Sequence, residues 1–585
     1  MQKLFFNELN KDQLEAVSFA KGPAIILAGA GSGKTRVLVY KVSNLVKNLN
    51  ILPSEIVMIT FTNKAATEMK DRVKFRLGYI GTFHSFCAKI LRIDGTSIDI
   101  DRKFTIYDDS DQTDVVKSIL KNFETKKFTA GYFLNRISGA KNQLIPAKNY
   151  LNYFSDYNAP LVAEVYAKYQ KILEKNNALD FDDLIMKVID LFLKKGEILD
   201  KYQNRYKYLM VDEFQDTNYA QYYFTKLLGG KYKNVTVVGD FSQSIYSWRG
   251  ADIKNLEKFK SDFPDTKVFN LEQNYRSTQK ILNFAYEVIS KNQTHPILEL
   301  FTENKEGDEV EFFAAENEEY EAIFIADKIK ELSVQNPFAS IAVLYRTNAQ
   351  SRVIEEVFLH YGIPYVLIGG TRFYERKEIK DVLSYLRLLV NPNDSVSIER
   401  VKKIGKRKWE EFKDLYEKIK NQVKIKETNE LMDDVFHSTG YLKLYNPDEE
   451  DDFARLENIK ELRSVAVAFP KLTDFLEQVA LVETEYSVEE KKAKTGGKEG
   501  VRLMTLHQAK GLEFPYVFIC GVEEGILPHA RSIDDQFALE EERRLFYVGI
   551  TRAKEKLFIT FANRRFIFGR RNDSVKSRFL GQEEL

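Results

Sequence analysis

Short apolar runs at 24–27, 56–60, 208–211 and 235–238 each end at a polar or glycine-rich loop. Strands buried on both faces read this way, and the loops after them form the ligand-binding edge of an α/β sheet. A second group of such runs lies at 341–345, 502–505, 516–520 and 557–561. Two groups predict two α/β domains. Each is interrupted. From 104 to 178 the chain turns helical, aromatic and lysine-rich, with no strand-like run of comparable quality. A similar helical stretch covers about 391–486, where Phe453, Leu456, Ile459 and Leu462 recur at helical spacing. These stretches are expected to be insertions into the two α/β domains. Residues 487–500 are charged and glycine-containing and read as a linker or loop. No repeat at solenoid periods is visible.

At 585 residues the chain is too long for one hydrophobic core, and roughly three to five domains are expected. With 44% hydrophobic and 30% charged residues it reads as globular. No apolar run approaches the roughly 20 residues of a membrane span. The first ten residues lack the apolar stretch of a signal peptide, so a cytoplasmic location is expected. Cys87 and Cys520 form no CxxC pair and read as buried free thiols. The six histidines make no zinc-binding pattern. A net charge of +1 shows no overall basic excess, so nucleic-acid binding would have to come from local grooves.

The strongest local signal is Ala28-Gly29-Ala30-Gly31-Ser32-Gly33-Lys34-Thr35. It follows the run 24–27 and precedes a helical pattern carrying Leu38, Val42, Leu45 and Val46. That is the setting of a phosphate-binding loop, in which glycines let backbone N–H groups turn inward and a helix N-terminus adds positive charge. Lys34 would reach the β- and γ-phosphates of ATP, and Thr35 would ligate Mg²⁺. The run 208–211 leads into Asp212-Glu213. Asp212 would hold the Mg²⁺ shell and Glu213 would act as general base on the attacking water. These features define a P-loop nucleotide hydrolase, a class with many functions.

An ordered set of further motifs narrows the class. Leu9-Asn10 with Gln13, 60–66 (TFTNKAA) and 81–85 (GTFHS) lie in the first part of the chain. Downstream come 238–250 (VGDFSQSIYSWRG), 271–277 (LEQNYRS), 503–514 (LMTLHQAKGLEF) and 547–553 (YVGITRA). Together they closely resemble the UvrD/Rep/PcrA family of superfamily 1 DNA helicases, over nearly the whole chain. The resemblance implies two RecA-like motor domains with parallel sheets, each carrying a mainly helical insertion. Residues 1–103 with 179–270 would be the first motor domain and 104–178 its insertion. Residues 271–390 with 497–585 would be the second, and 391–496 a shortened insertion. It also implies 3′-to-5′ travel on DNA, driven by ATP and Mg²⁺.

By the same resemblance Gln13 reads adenine, Tyr275 stacks on it, and Glu513 lies near the ribose. Arg36 would lie near the base. Gln243 would sense the γ-phosphate, and Arg276 and Arg552 would be arginine fingers from the second motor domain. Such fingers are worth about 10³–10⁵ in rate in GTPases. Phe61, Tyr246, Trp248 and Phe568 match positions that stack bases; Asn63, His84, Thr505 and His507 match positions along the DNA. A single-strand motor needs such π-faces and phosphate donors. Taken alone, Phe61 and Phe568 also read as core, Phe566 could replace Phe568 by a register slip, and His84 could be a packed histidine. Trp248, in a polar loop between Ser247 and Arg249, has the weakest claim to core.

Three departures from the family pattern are visible. Ser242 stands where the family carries aspartate. The second insertion is short, and the sequence ends soon after Phe579, so the family's C-terminal extension is expected to be missing. The implied function is an ATP-dependent 3′-to-5′ DNA helicase of repair or replication, acting on single-stranded DNA and single-strand/duplex junctions. It would be a monomer in solution, able to dimerise on DNA and to meet repair or replication proteins. A single-strand translocase that strips proteins but unwinds weakly, and an ATPase-inactive nucleic-acid scaffold, are the alternatives.

Overall fold

The computed structural model describes residues 8–121, 123, 128–482, 499–567 and 570–581. It divides into two compact units. The first comprises 1–277 with 289–305, and the second comprises 278–288 with 306–585.

The first unit is built on a six-stranded parallel sheet. Its strands are β1 (Ala24–Ala28), β2 (Ile56–Thr60), β3 (Tyr79–Thr82), β4 (Tyr208–Val211), β5 (Asn234–Gly239) and β6 (Lys267–Leu271). Their order is β3-β2-β4-β5-β1-β6. Alternate residues of a strand face opposite sides. Ile25, Val57, Ile59, Leu209 and Val211 therefore join one buried cluster, and Ala24, Ile26, Ile56, Met58 and Met210 join another. Helices cover both faces, the arrangement that parallel sheets require. Helix α1 (Lys11–Ser18) precedes β1, and α2 (Lys34–Lys47) follows it. On α2, Leu38, Val42 and Leu45 are buried as their spacing predicts.

The helices between β3 and β4 include a block with its own core of Val116, Phe133, Ile137, Val162, Tyr166 and Tyr169, among others. Its neck is a two-residue parallel ladder that pairs Thr105 with Ala178 and Ile106 with Leu179. Below the neck a buried ion pair fastens the block to the sheet domain. Lys141, on the helix Ala130–Asn142, lies 2.7 Å from Asp180 and 2.8 Å from Asp183. Burial alone would push the ammonium down, but the two carboxylates offset it and hold Lys141 above the usual lysine range. Tyr169 donates to Asp180 as well, at 2.9 Å. Removing one member of such a group strands buried charge. Lys141→Met is expected to cost about 3–5 kcal/mol, read as a lower denaturant midpoint for the first unit. A midpoint unchanged from the parent would refute this role.

The second unit carries a second six-stranded parallel sheet. Its strands are β7 (Glu311–Ala315), β8 (Ile341–Tyr345), β9 (Tyr365–Leu367), β10 (Val501–Thr505), β11 (Phe514–Ile519) and β12 (Ala553–Ala562), in the order β7-β12-β11-β8-β10-β9. Between β9 and β10 lie the helices Lys377–Val390, Ser395–Ile404, Lys406–Ile419, Thr428–Thr439 and Glu450–Ala468, with a further helix at 472–482. One continuous core joins them to the sheet, from Val343 and Leu503 through Leu383 and Leu386 to Leu431, Ile459 and Leu462. The fold is α/β with two RecA-like parallel-sheet domains and additional helices. Most of the linker expected at 487–500 lies outside the described residues. Cys87 and Cys520 are free and buried.

Candidate nucleotide and nucleic-acid site

Because all strands of the first sheet are parallel, their carboxyl ends emerge along one edge. The strand order sets the sequence of groups along that edge. The loop after β1 lies beside Asp240 and Gln243 after β5. Next come Asp212 and Glu213 after β4, then Phe61 after β2, then Phe83 and His84 after β3. Candidate nucleotide groups and candidate base-stacking groups thus adjoin on a single edge.

The loop from Ala28 to Gly33 is shaped from outside. Three of its carbonyls are held by donors. Asn274 Nδ2 donates to Ala30 O at 2.7 Å, the Tyr275 N–H to Gly31 O at 3.0 Å, and Gln13 Nε2 to Ser32 O at 2.9 Å. In a planar trans peptide the C=O and the following N–H point in opposite directions. With the carbonyls turned outward, the N–H groups of Gly31 and Gly33 face the other side, as an anion nest needs, while the Ser32 N–H donates to Gly29 O at 3.2 Å. Ser32 Oγ closes the loop internally on Gly29 O at 2.8 Å. Gly31 (φ 66°) and Gly33 (φ 84°) occupy the left-handed region that glycine alone tolerates freely. Lys34 and Thr35 begin α2, so both follow the nest directly.

Helix α1 is positioned by both its ends. Asn10 and Gln13 form a capping box, and Asn10 Nδ2 reaches Gln273 Oε1 and the Tyr275 hydroxyl, each at 2.9 Å. At the other end Lys41 and Asn44 of α2 donate to Ala16 O and Val17 O at 2.9 and 3.0 Å. Burial lowers the Lys41 ammonium to about 7. Gln13 is therefore a buried prop of the loop, while Tyr275 is half exposed beside it. Arg36 pairs with Glu8, through its carboxylate at 3.2 Å and its carbonyl at 2.7 Å.

The acid pair differs in environment. Asp212 is buried at the end of β4. Burial, then the neighbouring Glu213 charge, raise its carboxyl to about 7, and Lys34 opposes them. Its Oδ1 has no hydrogen-bond partner among the described residues. A buried, unpartnered carboxylate oxygen near the loop lysine fits a hard cation such as Mg²⁺, which takes oxygen ligands. Glu213 sits at φ 52° and accepts from Gln215 Nε2 at 2.6 Å. Gln215 Oε1 in turn accepts from the Asp240 N–H at 3.1 Å, and Gln243 Nε2 donates to Asp240 Oδ2 at 2.7 Å. One relay thus runs from Glu213 through Gln215 and Asp240 to Gln243. Burial raises Asp240 as well, against the pull of Lys34.

Toward β2 the edge becomes aromatic. The Phe61 and Tyr246 rings are parallel within 5° at 6.2 Å, and Trp248 stands edge-on to Tyr246 at 6.4 Å. Arg249 lies over the Trp248 ring at 4.4 Å. Trp248 is 48% exposed in a polar loop, so it serves no core. Asn63 is exposed on the first turn of the helix Asn63–Arg72. His84 packs edge-on against Phe181 at 5.7 Å, and burial lowers it to about 4, so it is neutral at physiological pH. Phe181, itself 44% exposed, extends the aromatic row. Its exposure at a helix N-terminus, rather than a motif, is the signal that reveals it.

In the second unit Thr505, at the end of β10, caps a turn with Gln508. The Thr505 N–H donates to Gln508 Oε1 at 2.9 Å, and Gln508 Nε2 reaches Gly369 O at 3.0 Å. His507 is half buried on that turn. Glu513 pairs with Lys554 at 2.6 Å. Arg552 is 1% exposed, and its guanidinium donates to Val548 O and Leu512 O at 2.8 and 3.1 Å. Tyr275 and Arg276, which the motif resemblance assigned to the second motor domain, belong to the first compact unit and pack on the phosphate loop. Phe568 lies outside the described residues. Phe566, its alternative, is half buried and lines a cavity of about 110 Å³ with Arg565 and Glu461.

Residues 9–264 match the UvrD/REP helicase N-terminal domain, and residues 269–424 and 401–564 match the UvrD-like helicase C-terminal domain. The chain belongs to the UvrD/Rep/PcrA family. Among its relatives, ATP-dependent DNA helicase PcrA of Bacillus subtilis is 43% identical over 630 residues, covering 98% of this chain and 85% of the relative. The PcrA helicases of Staphylococcus epidermidis and Staphylococcus aureus are each 43% identical, over 98% of this chain and 86% of theirs. The 630-residue match is longer than the 585-residue chain, so the relative carries stretches that this UvrD/Rep/PcrA member lacks. Ser242, its departure within the motif after β5, is buried. Its N–H donates to Asp240 Oδ1 at 3.1 Å and its hydroxyl meets His295 Nε2 at 3.2 Å.

Proposed function

We propose that this chain is an ATP-driven DNA helicase that travels 3′-to-5′ on single-stranded DNA, unwinds duplex at single-strand/duplex junctions, and works in DNA repair or replication in the cytoplasm. The observation that carries the reading is the shared edge of the first sheet. A phosphate nest and an acid pair adjoin a partly exposed aromatic row, so ATP chemistry and base stacking are supported by neighbouring strand ends. The relatives named ATP-dependent DNA helicase add support. The proposed layout is 1–103 with 179–270 and 271–390 with 497–585 as motor domains, and 104–178 and 391–496 as their insertions.

In this reading the N–H groups of Gly31 and Gly33 bind the phosphates, and Lys34 neutralises charge on the transferred phosphoryl group. Glu213, held by Gln215, orients water and accepts its proton. Gln243 communicates through Asp240 and Gln215 with Glu213. Thr35 and Asp212 would hold Mg²⁺, whose chemistry is to neutralise charge shared between the β- and γ-oxygens. Tyr275 and Gln13 would define the adenine side, with Arg36 and Glu513 nearby. Arg276 and Arg552 would stabilise the transition state. Phe61, Tyr246, Trp248 and Phe181 would stack bases, with Asn63, His84, Thr505 and His507 along the backbone.

The decisive measurement is ATP turnover with and without a single-stranded oligonucleotide, for the parent and Trp248→Ala. Strong stimulation of the parent is expected. A stacked base is worth about 1–3 kcal/mol, so Trp248→Ala should raise the half-stimulating DNA concentration about 5- to 150-fold. Turnover indifferent to any nucleic acid would sink the helicase reading. Unwinding of a 3′-tailed duplex but not a 5′-tailed one tests the direction. The stretches missing relative to the 630-residue match favour one second reading, a translocase that displaces proteins but unwinds weakly. Release of streptavidin from a biotinylated single strand, faster than duplex unwinding, would select it.

A further inference from the structure

We infer that Asn274 is a positioning residue that couples the phosphate loop to Arg276. The two ends of its amide serve two different elements. Its Nδ2 holds Ala30 O of the loop at 2.7 Å. Its Oδ1 accepts the N–H groups of Arg276 and Ser277 at 2.7 and 2.8 Å, which sets the turn that presents Tyr275 and Arg276. Asn274 is itself fixed from behind. It pairs with Thr302 in a short parallel ladder, and Thr302 Oγ1 donates to its carbonyl at 2.8 Å. It is 1% exposed, so water does not compete for either end.

The loop and the turn also touch directly. The Tyr275 N–H donates to Gly31 O at 3.0 Å. A Cβ on Gly31 would stand 2.8 Å from both Asn274 Nδ2 and Arg276 Cβ. A rigid planar amide bridges the two elements, so a shift of the loop when it takes up phosphate is transmitted to Arg276 with little slack. Asn274 touches neither nucleotide nor water in this scheme and acts through Arg276. The inference rests on the ATP-hydrolysis reading, in which Arg276 stabilises the reacting phosphoryl group.

The test is a double-mutant cycle on DNA-stimulated turnover with Asn274→Ala and Arg276→Ala. A misplacement of about 1 Å can cost about 10²-fold in rate. Asn274→Ala alone is therefore expected to lower kcat about 10- to 100-fold, with KM for ATP changed less than about threefold. In the Arg276→Ala background the same substitution should change kcat less than about twofold, because the group it positions is gone. Asn274→Asp is the second variant if Asn274→Ala folds poorly. It keeps the acceptor of the turn and loses the donor to Ala30 O, and it should show the same kcat loss. Equal fold-losses in both backgrounds, or an Asn274→Asp protein with parental kcat, would overturn the coupling. Arg276→Ala with parental kcat would overturn the arginine reading and the coupling together.

Discussion

Glu213→Gln is expected to lower kcat by about 10²–10⁴-fold while leaving KM for ATP within a few-fold, measured as steady-state turnover at saturating DNA. The substitution keeps shape and removes basicity. Gln215 Nε2 donates to Glu213 Oε2 at 2.6 Å, and an amide oxygen at the same place would accept that bond. The relay to Asp240 and Gln243 should therefore survive. The Glu213 charge is one of the influences that raise the Asp212 carboxyl to about 7, so removing it leaves Asp212 more fully ionised at neutral pH. A loss through protonation of Asp212 runs against the sign of this influence. Turnover within threefold of the parent would mean that Glu213 is not the base.

How much of this was legible in the sequence depends on where each group sits. The eight apolar runs correspond to β1, β2, β4, β5, β8, β10, β11 and β12, all interior to their sheets. The four strands without such a run, β3, β6, β7 and β9, are the four sheet edges. An edge strand packs fewer neighbours and mixes polar with apolar residues, as in Lys267-Val268-Phe269-Asn270-Leu271, so no continuous apolar run marks it. The phosphate loop and the acid pair are local in sequence and follow interior strands, which made them readable. Asn274 and Gln215 were not readable as positioning groups, because their partners lie 244 and 25 residues away and are brought together by strand order. Phe181 follows the same rule: nothing in the chain around it announces His84 as its neighbour.

Gly31→Ala carries the other large expected effect, and its contrast with Gly29→Ala makes it specific. Gly31 has φ 66°, where an L-residue costs roughly 1–2 kcal/mol. Strain of that size alone would leave a folded protein. The larger consequence is contact, since the new methyl would sit 2.8 Å from Asn274 Nδ2 and from Arg276 Cβ. Neither atom yields easily, because the first is bonded to Ala30 O and the second is attached to a backbone tied to Asn274 Oδ1. Either the loop carbonyls turn away from their anchors and the nest is lost, or the turn carrying Arg276 moves. At Gly29 the methyl would instead meet the buried Leu300 side chain, with Cδ2 at 2.3 Å and Cδ1 at 3.0 Å, rather than a group that anchors the loop. Gly31→Ala is expected to lower kcat/KM for ATP by about 10²-fold or more, and Gly29→Ala by less than about tenfold. Nucleotide-free binding of an oligonucleotide to the aromatic row should be unchanged in both, which separates damage at the nest from general unfolding. If Gly31→Ala bound and hydrolysed ATP like the parent, the tight seating of the loop on Asn274 and Arg276 would not be what holds the nest in shape.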